Sequence, residues 1–146
     1  MTIREHPLAY RWTNPKYAVL PDSILAQIEP VEEEAATQVS RMSRRLVVLG
    51  GLSHTFFKAV SKHRADISEE DGRRWLQDQQ PNLFERVVVA WQKHPPIRTL
   101  WAVYTEYWMD FCYPSSDDVL VWPQSALWAL FYSHEEEFQF GKITVP

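Results

Sequence analysis

Twelve aromatic side chains crowd into the forty residues from Trp101 to Phe140, out of twenty in the whole chain. Rings of this size bury large areas at low entropic cost, so they fill cores and anchor interfaces. The segment is also cut at short intervals by turn residues: Pro114-Ser115-Ser116-Asp117-Asp118, Pro123-Gln124-Ser125 and Ser133–Glu136. What lies between these breaks is too short for helices. Val119–Trp122, Trp128–Tyr132 and Glu137–Ile143 read as three strands joined by short turns, an antiparallel meander. One small sheet cannot hide twelve rings, so some are expected to face outward as binding anchors.

The first two thirds of the chain read differently. Residues 1–20 are Pro-broken and aromatic, an irregular arm packing on the domain, with a short strand near Tyr17–Leu20. Asp22 or Ser23 caps one helical turn through Ile28. Pro30 suits the first position of a longer helix, whose stripe is Val31, Ala35, Val39, Met42 and Leu46. Its acids, Glu32–Glu34, lie early and its bases, Arg41, Arg44 and Arg45, lie late, as the helix dipole favours. Gly50-Gly51 ends it. Ser53 caps a second expected helix that buries Phe56, Phe57 and Val60. Ser68-Glu69-Glu70-Asp71 opens a third, carrying Trp75 and Leu76. Phe84, Val87, Val88 and Trp91 share one helical face, so helix is favoured there, although three consecutive valines at 87–89 suit a strand as well. Trp101–Tyr113 reads mainly as strand, with helix open to its first half.

These assignments give an α+β fold: N-terminal and central helices packed on a C-terminal antiparallel β-meander. One domain covers residues 1–146, with the arm at 1–20, a mainly helical part at 21–94 and a mainly antiparallel sheet at 98–146. The chain is long enough to bury a core without staples, and a lone Cys112 makes no internal disulfide. No apolar run is long enough to span a membrane, and no membrane partner is expected. Met1–Pro7 has no apolar stretch of secretory type, so a cytoplasmic location is expected.

Charge is divided along the chain. Residues 41–98 hold eleven Lys or Arg against six Asp or Glu, whereas residues 99–146 hold one Lys against seven acids. With a net charge of −4 overall, general nucleic-acid binding is not expected. The acidic third points instead to a cationic partner.

Few motifs carry chemistry. There is no G-x-S-x-G, P-loop or G-x-G-x-x-G, and the chain has only four glycines. His134-Glu135-Glu136-Glu137-Phe138 begins like H-E-x-x-H but ends in Phe138, so no helical zinc motif exists, and no cofactor is expected. Cys112 sits among aromatics with no base or oxyanion loop beside it. The one geometric prediction concerns the meander. Its strands alternate direction, so its first and third turns meet at one end. Asp117 and Asp118 then crowd against His134, Glu135, Glu136 and Glu137 on one rim. The candidate partner-binding residues are Asp117, Asp118, His134, Glu135 and Glu136, with Tyr113, Trp122 and Trp128 as anchors if exposed. Solvated acids contribute little to folding, so Asp117→Lys with Glu136→Lys is expected to spare the melting temperature while slowing association.

The run Asp110-Phe-Cys-Tyr-Pro-Ser-Ser-Asp-Asp-Val-Leu-Val-Trp-Pro123, followed by Trp128-Ala-Leu-Phe-Tyr-Ser-His-Glu-Glu-Glu-Phe-Gln-Phe-Gly-Lys142, resembles the acidic, Trp-rich sheet segments of small bacterial immunity proteins, the cytosolic inhibitors of toxin–immunity systems. The resemblance covers about a quarter of the chain and implies a non-enzymatic protein, monomer or weak homodimer, that binds and blocks one cationic toxin. It carries over no site residues. Two other functions stay open: a small enzyme using His134 with a nearby Glu or Cys112, and a structural subunit that docks through its aromatics.

Overall fold

Arg86–Trp91, Val119–Pro123 and Trp128–Ser133 are almost continuously apolar, the pattern of strands covered on both faces. The computed structural model, which describes residues 1–143, places these three side by side at the centre of one sheet. A 3-10 turn (Ile3–Glu5) leads to α1 (Tyr10–Thr13), β1 (Ala18–Val19) and α2 (Asp22–Leu25). Next come β2 (Glu29–Pro30), α3 (Glu33–Leu46), β3 (Val47–Val48), β4 (Gly51–Leu52), β5 (Val60–Arg64), α4 (Glu69–Gln79), β6 (Arg86–Trp91) and β7 (Ile97–Leu100). The last third holds α5 (Trp101–Glu106), α6 (Trp108–Phe111), β8 (Val119–Pro123), β9 (Trp128–Ser133) and β10 (Glu137–Lys142). Seven strands form an antiparallel sheet in the order β2-β7-β6-β8-β9-β10-β5, and β3 with β4 forms a separate hairpin. The class is α+β, with helices packed on an antiparallel sheet that includes the expected β8-β9-β10 meander.

Alternation along each strand divides the core in two. Val87, Val89, Val119, Val121, Leu130, Tyr132 and Phe138 face the arm, α4, α5 and α6, burying Trp12, Leu76, Trp101, Tyr104 and Phe111. Val88, Ala90, Leu120, Trp122 and Phe131 face α3 and the hairpin, burying Val39, Leu46, Leu52 and Phe57. Both faces of the sheet are therefore dry. Of the twelve rings, eight are buried on the arm side and two, Trp122 and Phe131, on the α3 side, while Tyr107 and Tyr113 stay half-exposed.

Several expectations are corrected. Arg86–Trp91 is a strand, not a helix, because it lies between β7 and β8 and both its faces are covered. Trp101–Phe111 is helical rather than extended: Trp101, Tyr104, Trp108 and Phe111 follow helical spacing and are all buried toward the sheet. Ser53 caps a single turn, accepting the Phe57 amide on its carbonyl at 2.9 Å, before the chain enters β5. Pro30 lies in β2 at the sheet edge, where its missing N–H is harmless, and α3 starts only at Glu33. Residues 21–94 thus contribute β2, β5 and β6 to the sheet as well as helices. The cap at α4 is as expected, with Ser68 Oγ accepting the Asp71 amide at 3.0 Å. Gly72, which weakens that helix by propensity, is needed there: a Cβ would stand 2.6 Å from Trp108 Cζ2.

Candidate functional site

The meander brings its first and third turns to one end of the sheet. Val119 pairs with Tyr132 and Ser133 with Glu137, so the 113–118 loop and the 134–136 turn are neighbours. They are tied directly. The Ser115 amide donates to the His134 carbonyl at 3.1 Å. Asp118 Oδ1 accepts the His134 amide at 2.8 Å and lies 2.9 Å from His134 Nδ1. The bond to Asp118, and then its charge, raise the proton affinity of His134 above that of an ordinary imidazole.

The 134–136 turn is a three-residue hairpin loop. The Glu136 amide donates to the Ser133 carbonyl at 2.8 Å and the Glu135 amide to Ser133 Oγ at 3.1 Å. Such loops end on a left-handed residue, usually Gly or Asn. Here it is Glu136, at φ 60°. Glu135 is exposed and Glu136 half-exposed. Among the described residues, no Lys or Arg forms an ion pair with Asp118, Glu135, Glu136 or Glu137. The acidic rim expected from the turns is present: His134 pairs with Asp118, and Arg64, opposite Glu137 on β5, forms its ion pair with Asp66 instead.

Asp117 is not a solvated member of that rim. It turns inward and takes Arg11 in a two-pronged ion pair, Nη1 to Oδ2 at 2.6 Å and Nη2 to Oδ1 at 3.2 Å. The two side chains are only 4% and 7% exposed. Asp117 also accepts the Tyr113 amide at 2.9 Å and donates its own amide to the Tyr113 carbonyl at 3.1 Å. The Tyr113 ring lies 3.8 Å from the guanidinium carbon of Arg11. Burial is the largest influence and disfavours the charge on Arg11, but the bonds and charges of Asp117 and Tyr10 together outweigh it, and the guanidinium holds its proton more tightly than usual. Asp117→Lys therefore removes a buried anion and sets a second cation beside Arg11. The expectation that this substitution spares the melting temperature is withdrawn; it stands for Glu136 only.

The same pair clamps the arm against the rim and brings two unforeseen residues with it. Tyr10 and Tyr17 meet edge to face at 5.0 Å and both are exposed. With the half-exposed Tyr113 they make a patch of tyrosines beside the acidic turns. Nothing local in the sequence announces this, because Arg11 and Asp117 are 106 positions apart. The aromatic character of the arm was the only signal.

Trp122 and Trp128 do not meet the condition of exposure. Trp122 is buried against the α3 side of the sheet. Trp128 is buried on the other side, 5.0 Å from Trp101 and 5.3 Å from Phe140 between ring centres. Both hold the core. Cys112 is buried too. Its Sγ is 3.2 Å from the Tyr104 hydroxyl, and burial pushes its thiol pKa far above the ordinary range. Its charged neighbours are Asp117 and Arg11, not His134, so the Cys112–His134 pairing weighed for catalysis is not formed.

Two grooves flank the rim. One, of about 170 Å³, has an apolar floor of Ala90, Leu120 and Phe131, with Arg44 and Asp118 on its lips. The other, of about 130 Å³, runs past His94, Ser116 and Asp118. His134 lines neither, and its side chain is 53% exposed. Among the described residues, no three His, Cys, Asp or Glu side chains gather in a way that could hold a metal ion, and no helix is long and apolar enough to cross a membrane. Compared with known protein families and with curated proteins, the chain matches none.

Proposed function

We propose that this chain is a non-enzymatic protein-binding module of the immunity type, which binds and blocks a cationic effector through the acidic and aromatic face built from Asp118, Glu135, Glu136, Tyr10, Tyr17 and Tyr113. One observation carries the proposal: Glu135 and Glu136, free of ion pairs, stand on the turn that is tied to the 113–118 loop of Tyr113, and the buried Arg11–Asp117 pair holds that loop against the arm that carries the exposed Tyr10 and Tyr17. Tyrosines supply contact area at low entropic cost. Unpaired acids attract a basic partner from a distance and speed its approach. The site would be pre-organised, because both turns are fixed by backbone and Asp118 bonds before any partner arrives.

The test compares three forms of the chain as bait for basic proteins of the source cell, beginning with the products of neighbouring genes. These are the wild type, Glu135→Lys with Glu136→Lys, and Tyr10→Ala with Tyr17→Ala. A cationic partner should associate with the charge-reversed form at least tenfold more slowly in low salt. The difference should shrink as salt shortens the screening length below about 10 Å. The tyrosine variant should dissociate faster with little change in approach. A partner that binds both variants as it binds the wild type would show that this face is not the binding surface. Recovery of no basic partner would count against the proposal as a whole.

A further inference from the structure

The β3–β4 hairpin, which the rim does not use, turns on Leu49-Gly50. Val48 pairs with Gly51, so these two residues form the loop, and both have positive φ, 54° and 76°. That is the primed two-residue turn, whose first position favours Asn, Asp or Gly. Leu49 sits there against its backbone preference, and its side chain is fully exposed. Val48 beside it is about half exposed. A groove of about 530 Å³ opens beneath the tip, walled by the hairpin, by His54 and by Lys62 of β5. Arg45, from the last turn of α3, lies over the Phe56 ring at 5.4 Å. Arg41, Arg45, Lys58 and Lys62 are all exposed. Among the described residues none of the four forms an ion pair.

We propose that this hairpin is a peripheral docking tip for an anionic lipid bilayer: Val48 and Leu49 enter the interface while Arg41, Arg45 and Lys62 meet the head groups. Charge selects the occupant: Lys62 lines the groove with no carboxylate beside it, and Arg45 ends the helix that leads into the hairpin, neither of them in an ion pair. Shape agrees with it. A projecting turn with one unsupported apolar side chain inserts into a fluid interface, whereas a rigid partner would need a pocket to receive it. Clustered Lys and Arg beside an apolar insertion are the ordinary means by which proteins bind anionic membranes reversibly.

The test is co-sedimentation of the full chain with vesicles of pure phosphatidylcholine and of phosphatidylcholine with 30% phosphatidylserine, a composition chosen to give a strongly negative surface. The wild type should sediment with the anionic vesicles, not with the neutral ones, and should be released by 0.5 M salt, where the screening length falls to about 4 Å. Leu49→Asn suits the turn better than Leu, so it should fold at least as well by thermal melting while binding about tenfold more weakly. Arg45→Gln and Lys62→Gln should each weaken binding about fivefold. Equal sedimentation with both vesicle types would overturn the proposal. So would undiminished binding of Leu49→Asn, or no binding to either vesicle at low salt.

Discussion

Removing either partner of the Arg11–Asp117 pair should be among the most damaging single changes in the chain. Both side chains are buried and joined by two bonds of 2.6 and 3.2 Å. Desolvating two ions is costly, so the intact pair adds little net stability compared with apolar residues of similar size. Breaking it is different. Arg11→Met leaves a buried carboxylate with only backbone and hydroxyl donors, and Asp117→Leu leaves a buried guanidinium with no counter-ion. Each should cost about 3–5 kcal/mol. For a chain of this length that lowers the melting temperature by roughly 10 °C or more. The double variant Arg11→Met with Asp117→Leu should recover most of the loss. About 1 kcal/mol should stay unrecovered, because the Tyr113 amide loses its acceptor. Urea denaturation of the four proteins gives the coupling directly, provided the slopes agree. Single variants costing under about 1 kcal/mol, or a double variant as unstable as the sum of the singles, would refute a buried, mutually compensating pair.

Two histidines should titrate on opposite sides of the ordinary imidazole value. His6 accepts the Leu8 amide on Nδ1 at 3.0 Å, so its proton sits on Nε2, 2.7 Å from the Pro95 carbonyl. Burial, foremost, lowers its pKa below 6.5. The unfolded chain then takes the proton first, so the stability held by His6 is complete above pH 6.5 and is lost as pH falls; His6→Asn should flatten that acid limb in denaturation curves. His134, raised by Asp118, has the opposite sign: its contribution is present below 6.5 and fades as pH climbs through its folded value, which NMR titration of the ring protons would show. Gly72→Ala should destabilise, because the ring of Trp108 must move. The overpacking cost of about 1–3 kcal/mol exceeds the helix-propensity gain of about 1 kcal/mol, and calorimetry with the near-UV Trp signal would report both. Cys112 should resist a thiol reagent in the native state and react once denatured; rapid native labelling would show the buried, protonated thiol to be wrong.

Local chemistry alone determined the parts of this fold that depend on neighbours a few positions away. The strands β8, β9 and β10 and the turns between them follow from turn residues bracketing short apolar runs. α3 follows from its 3.6-residue stripe and α4 from the Ser68 cap. The meeting of the 113–118 loop with the 134–136 turn follows from strand alternation and needed no tertiary information. The tertiary structure decided whatever depends on a distant partner. Arg86–Trp91 carries both a helical face, which a reading of the sequence favours, and a run of β-branched residues; only flanking by β7 and β8, with both faces covered, makes it a strand. Trp101–Phe111 did carry a legible helical spacing, which its density of β-favouring rings obscured. The fate of Asp117 was not legible at all. An acid in a polar turn is ordinarily solvated, and it is buried here because folding carries Arg11 across 106 positions to neutralise it. The burial of Trp122 and Trp128 was hidden for the same reason. A sheet covered on both faces leaves no outward side for a ring, and that cover comes from α3 and from α5, elements far from either strand in sequence.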